Sequence, residues 1–135
     1  MTTTMDPRLA QLAEHLGVRI TTHPGTPAGK WYHRRRVISL SRDLGPIGQR
    51  CTLAHELGHA ALGHVSDPPK MLRDKQEAQA ERYAAALLIS EQEYALAERL
   101  YGPSTGAIAA ELCVSTHMVD IWRKRIHRHS VQTIS

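Results

Sequence analysis

The sequence predicts an α+β fold, on three observations. Residues 18–22 and 30–40 carry short alternating or apolar runs bounded by turn residues, as strands do; several longer segments repeat their apolar positions at helical spacing; and one of those segments contains His-Glu-x-x-His at residues 55–59. The expected architecture is a small antiparallel sheet packed on the helix of His55 and His59 and on a later helix that brings a further carboxylate. A C-terminal helical segment resembling a helix-turn-helix completes it.

Taken in order, Asp6-Pro7 reads as a helix cap followed by proline at the first helical position. Leu9, Leu12, Ala13 and Leu16 form its apolar stripe, and Gly17 ends it. Val18 to Thr22 alternates as a half-buried strand would, and His23 to Gly29 is turn chemistry throughout, with His23 expected as a loop residue. Lys30 to Leu40 reads as two strands joined at Arg34-Arg35-Arg36. Three arginines at such a tip are expected to be a solvated turn rather than a nucleic-acid contact. Val37 to Leu40 is the expected edge strand, able to hold an extended peptide by main-chain hydrogen bonds.

From Gln49 to Leu62 the apolar positions Cys51, Leu53, Ala54, Leu57, Ala60, Ala61 and Leu62 recur at helical spacing without a proline. A helix stacks positions i and i+4 on one face, so His55 and His59 can present both imidazoles to one metal ion. Glu56, one step round the cylinder, can reach a water at the metal's open position and act as general base. Gly58 is the only interior glycine of that run and costs about 1 kcal/mol against alanine, so something is expected to pack closely there.

Gly63 to Pro69 breaks the chain, and His64 can either assist the site or cap the preceding helix at its C-terminus. A new helix is expected from Asp74 to Ile89, with a buried stripe of Ala80, Tyr83, Ala84, Leu87 and Leu88. Glu77 falls on the same stripe, and a carboxylate on a core face needs a compensating partner. Coordination of zinc supplies one, making Glu77 the third ligand. Glu81, one turn on, can accept a hydrogen bond from the distal nitrogen of a zinc-bound histidine, substitute as the ligand, or pair at the surface with Arg82 or Lys75.

Composition bounds the function. The 135 residues suit one domain with a core of Leu, Ala, Ile and Val, since phenylalanine is absent. The formal net charge of +4 is unevenly spread: residues 1–54 carry 8 basic and 3 acidic groups, residues 55–103 carry 5 and 8, and residues 104–135 carry 4 and 2. The acidic middle coincides with the metal-ligand candidates. No apolar run approaches the ~18 residues of a membrane span, and residues 1–6 lack signal-peptide character, which with two unpaired, buried cysteines, Cys51 and Cys113, leads to an expectation of a cytoplasmic protein.

Beyond a helix from Glu91 to Leu100, Tyr101-Gly102-Pro103 breaks the chain and Ser104 caps the next helix. Residues 108–125 read as a helix-turn-helix whose second helix starts at Ser115. Cys113 stands in the turn where glycine is usual, and the segment 104–135 holds few basic residues. Packing or partner docking is therefore expected of this tail ahead of DNA binding.

Three stretches together resemble the ImmA/IrrE family of small zinc metallopeptidases: Gly29, Trp31, Tyr32, Ile38 and Leu40; Gln49 and Arg50 followed by Thr-Leu-Ala-His-Glu-Leu-Gly-His at 52–59, Leu62 and His64; and Glu77, Ala80, Tyr83, Ala84, Leu87 and Leu88. The resemblance implies a gluzincin-like fold with His55, His59 and Glu77 holding Zn2+ and Glu56 as the catalytic glutamate. It makes Tyr32, with Glu81 and His64, a candidate for supporting the metal site or contacting substrate. It also implies a substrate, a helix-turn-helix transcriptional repressor whose cleavage relieves repression in a phage, mobile element or stress response. Three departures stand out: Tyr83-Ala84 conservatively replaces a common Phe-Ala, Ile89-Ser90 replaces a common Met-Pro, and Gln79 stands where the family often has a second carboxylate. The expected organisation is one domain over 1–135, with a metallopeptidase core at 6–100 and a helical tail at 101–135. The alternatives are an anti-repressor that binds metal and displaces a repressor by docking without cutting it, and a DNA-binding regulator that uses residues 104–135.

Overall fold

A computed structural model describes residues 5–134, with side chains described as far as Arg125. Helix α1 (Pro7–His15) begins where Asp6 accepts a hydrogen bond from the Arg8 amide at 2.9 Å. Strands β1 (Arg19–His23), β2 (Gly29–Tyr32) and β3 (Val37–Ser41) follow, then α2 (Pro46–Ala61), α3 (Lys70–Leu88), α4 (Glu91–Tyr101), α5 (Thr105–Leu112) and α6 (Thr116–Ile134). The fold is α+β, as the sequence predicts.

The three strands form one sheet in the order β1-β3-β2, in which β3 runs antiparallel to β2 and parallel to β1. Two expectations are corrected here: the sheet is mixed rather than antiparallel, and Val37–Ser41 is its centre rather than its edge. The residues explain why. All five positions of β3 are buried, so Val-Ile-Ser-Leu-Ser is shielded on both faces, whereas β1 leaves Arg19, Thr21 and Thr22 exposed and suits an edge. The expected hairpin at the arginine run is present, with Trp31 opposite Ile38 and Arg34 and Arg35 exposed at its tip.

The helix that carries the paired histidines starts earlier than its apolar stripe suggested, because Pro46 is already helical and suits a first turn. Helix α3 likewise starts at Lys70, directly after Pro69, through an exposed first turn whose apolar residues Met71 and Leu72 face solvent rather than the core. Helix α4 opens with a reciprocal capping box between Ser90 and Glu93, so Ser90 starts α4 directly after Ile89 caps α3.

One core joins the sheet, the paired-histidine helix and the tail. Its largest fully buried side chains include Ile38, Leu53, Leu57, Ile89, Ile108 and Val119. The predicted helix-turn-helix exists as α5 and α6, and Cys113 sits in its turn in the left-handed conformation at φ 56°. Cys113 is exposed and Cys51 half-buried, both as free thiols, so the expectation that both are buried holds for neither fully. The tail is anchored by Trp122, which stacks on Tyr94 at 4.3 Å between ring centroids and donates its indole N–H to the Ile89 carbonyl at 3.1 Å. No helix among the described residues is long and apolar enough to cross a membrane.

Candidate metal centre

Helix α2 stacks His55 and His59 with their ring centroids 4.9 Å apart. Helix α3 packs against α2 and brings the Glu77 carboxylate to both of them: Oε2 lies 2.8 Å from His55 Nε2 and Oε1 lies 3.0 Å from His59 Nε2. One ligand atom from each of the three residues falls within 4.8 Å of the others. Two imidazole nitrogens and a carboxylate oxygen converging from two rigid helices are the donor set of a three-ligand metal site that leaves a coordination position open. The residues present therefore fit a divalent metal ion.

Glu77 reaches this position differently from the way its stripe suggested. Its side chain is half exposed at the cleft mouth, and the buried polar residue of α3 is its neighbour Gln76. With its amide oriented to donate to the Val65 carbonyl and accept from the Val65 amide, Gln76 fastens the loop after α2 onto α3.

That loop places His64. Gly63, at φ 69°, closes α2 with its amide on the Ala60 carbonyl, and the His64 amide donates to the His59 carbonyl at 2.9 Å. This turn folds the His64 ring back onto His59, with the two Nδ1 atoms 2.8 Å apart, while His64 Nε2 lies 2.8 Å from Gln79 Oε1. A neutral imidazole carries one N–H. If Gln79 Oε1 accepts it from His64 Nε2, then His64 Nδ1 is an acceptor, His59 Nδ1–H donates to it, and His59 Nε2 keeps its lone pair for a metal. Burial, with His55 and His64 close by, holds the His59 pKa down to about 4, which keeps that ring neutral.

Glu56 is buried against β2. A Cβ on Gly29 would lie 3.1 Å from Glu56 Cγ and 3.2 Å from its Oε2, and 2.5 Å from Thr52 Cγ2, so only glycine admits the carboxylate here. Burial, reinforced by the nearby Glu77 charge, pushes the Glu56 pKa up to about 8. Two recesses, of about 240 and about 270 Å³, meet at Gly29 and Glu56.

The structure thus brings together His55, Glu56, His59 and Glu77, with His64 behind His59. It does not bring Glu81 to a metal-site histidine, nor to Arg82 or Lys75: its carboxylate lies 3.2 Å from His117 Nε2 at the start of α6, because position 81 faces the tail rather than α2. Tyr32 is exposed on the opposite side of β2 from buried Trp31, with the Lys30 ammonium 5.4 Å from its ring centroid, and lines neither recess. Of the site's neighbours, Gly29 and Gln79 stand in or beside the stretches that carry the family resemblance, whereas the sequence reading does not single out His117 for the site.

The fold brings together a His-His-Glu group that could hold a metal ion. Residues 13–121 match the peptidase family described as the IrrE N-terminal-like domain, and the chain belongs to that family. Among solved structures, a Mycobacterium tuberculosis transcriptional regulator is similar, with a TM-score of 0.63 at 18% identity, over 90% of this chain and 41% of that one. At that identity the likeness is one of fold, and the chain spans under half the length of that protein. No curated protein matches the sequence.

Proposed function

We propose that this protein is a zinc metalloendopeptidase whose substrate is a helix-turn-helix repressor. The observation that carries the reading is the convergence of His55, His59 and Glu77 beside a buried glutamate, Glu56, at the junction of two recesses. Zinc held by these three residues would acidify a bound water and polarise a scissile carbonyl. Glu56 takes the proton from the attacking water and returns it to the leaving amine. His64, held by Gln79, fixes the tautomer and orientation of His59.

Strand β2 offers the place for an extended substrate. The Trp31 carbonyl points away from β3 and is taken by the Ser66 hydroxyl at 2.7 Å. Gly29, two residues earlier, turns its backbone groups the same way by strand alternation, directly beside Glu56. A substrate strand pairing there lies across the carboxylate.

The test combines metal content with cleavage of the repressor encoded beside the protein. Wild type is expected to carry about one zinc per chain and to cut the repressor. Glu56→Gln should keep the zinc and lose cleavage; His59→Ala and Glu77→Ala should lose both; Glu81→Ala should keep the zinc. Repressor released from DNA at intact mass would replace this reading by the docking one, and retained cleavage in Glu56→Gln would remove the proposed base.

A further inference from the structure

The cleft does not end at the metal site. The recess of about 270 Å³ that holds His55 and Glu56 is walled on its far side by Glu81, His117 and Ile121, and those same three residues line a third recess of about 160 Å³. This third recess has Ala78 and Ile121 as apolar floor and Arg82, Lys124 and Arg125 around it. The Glu81 carboxylate at the junction is engaged by His117 at 3.2 Å, so three cations stand against one already partnered anion. Among the described residues, no carboxylate pairs with any of the three. At the opposite end, the recess of about 240 Å³ is mixed, with Lys30 and Arg73 offset by Asp67 and Glu77. The track past Glu56 is therefore electrostatically lopsided, and its basic end is built by α3 and α6 together.

We infer that the recess between Arg82, Lys124 and Arg125 is a specificity subsite that takes an aspartate or glutamate side chain of the peptide substrate, on the α6 side of the scissile bond. This rests on the peptidase reading for its substrate and deepens it. The apolar floor receives the stem of the side chain, and the cations receive its carboxylate, with arginine able to do so through two parallel N–H donors. The arrangement gives the C-terminal helices a task that needs no DNA: α6 supplies Lys124, Arg125 and, through His117, the restraint on Glu81.

The subsite is tested by binding, which needs no turnover. Two fluorescein-labelled decapeptides of the same Ala/Leu/Ser sequence, one with two glutamates and one with glutamines in their place, are titrated by fluorescence anisotropy against the zinc-supplemented full chain carrying Glu56→Gln. The same titrations follow with Arg82→Glu/Lys124→Glu added, and separately with Arg34→Glu/Arg35→Glu added, which makes the same change in net charge at the hairpin tip. The glutamate peptide is expected to bind at least tenfold tighter than its partner to the parent and to the hairpin variant, and the preference should vanish or reverse in the groove variant. Should the groove variant fail to fold, by circular dichroism and zinc content, Arg82→Gln/Lys124→Gln replaces it and should lower the preference several-fold. Equal binding of the two peptides to the parent, or an equal loss of preference in both charge variants, overturns the subsite. Failure of the peptidase reading appears elsewhere, in zinc content and repressor mass, so the two are separable.

Discussion

Gly58 on α2 meets the backbone of Ala80 on α3: a Cβ at position 58 would lie 3.0 Å from the Ala80 carbonyl oxygen and 3.1 Å from its Cα. This contact sets the spacing of the two helices that carry the candidate metal ligands, because Glu77 lies one turn before Ala80. Alanine at 58 would gain about 1 kcal/mol in helix propensity, but its methyl meets main chain, which cannot swing aside as a side chain can. Gly58→Ala is therefore expected to be a net loss of about 1–3 kcal/mol, the usual range for overpacking, with weaker zinc retention. Thermal melts and chelator competition measure both. A variant that melts higher and binds zinc as tightly would show that the close approach is not what places Glu77.

The His59–His64–Gln79 chain predicts an effect on metal affinity from a residue that touches no metal. Gln79→Leu removes the acceptor at His64 Nε2, now 2.8 Å away, and frees His64 to present the wrong nitrogen to His59. Loss of such an outer partner typically costs about 10–100-fold in metal affinity. Gln79→Glu keeps an acceptor and should retain affinity. Competition with a chromogenic chelator separates the two variants, and equal affinities for Gln79→Leu and wild type would mean that His59 is oriented by packing alone.

The paired histidines of the candidate metal group were legible in the sequence because their signal is local. Two histidines at i and i+4 need only a helix, and the helix needs only the 49–62 stripe. Glu77 was legible by position, though the physical reason given for it, burial, belongs to Gln76. What stayed hidden depends on contacts between distant segments. His64 reaches His59 only because a glycine-terminated turn folds back; Glu81 turns to His117, 36 residues on; and β3 lies between β1 and β2, which a run of five residues cannot announce. The fold class survives such errors because layer composition depends on helix and strand content more than on strand order.

Metal removal should destabilise the fold as well as any activity. His55 and His59 come from α2 and Glu77 from α3, so an ion held by all three cross-links the helices whose contact is the most extensive in the structure. A ligand that binds only the folded state adds about 2.7 kcal/mol when its free concentration is a hundred times Kd, or about 10 °C in melting temperature for a chain of this size. Treatment with a chelator is expected to lower the melting temperature by that order, with recovery on adding zinc. Glu77→Ala should melt at the same temperature with and without zinc; a zinc-dependent shift persisting in that variant would mean the ion is held elsewhere.

Arg50 makes the last prediction, because it ties two distant segments to the paired-histidine helix. Its Nε donates to Asp6 Oδ2 at 3.2 Å, and its Nη1 donates to the Leu112 and Cys113 carbonyls at 3.1 and 2.9 Å. Burial pushes the Asp6 pKa up, but the Arg8 amide and the Arg50 and Arg8 charges outweigh it and hold the carboxyl below its ordinary value. A pKa depressed in the folded state stabilises the fold above the unfolded value, about 3.9, and the contribution disappears as pH falls through the folded value. Asp6→Asn keeps an equally good helix cap and removes only the charge. It should cost under about 1 kcal/mol at pH 7, as partly exposed ion pairs do, and nothing near pH 2. Arg50→Ala leaves two carbonyls without their donor as well, so its cost of about 1.5–3 kcal/mol should persist in part at low pH. Melting temperatures of the three proteins from pH 2 to 7 decide it: an Asp6→Asn deficit that stays constant over that range would show that the carboxylate charge contributes nothing and that Arg50 acts through the tail carbonyls alone.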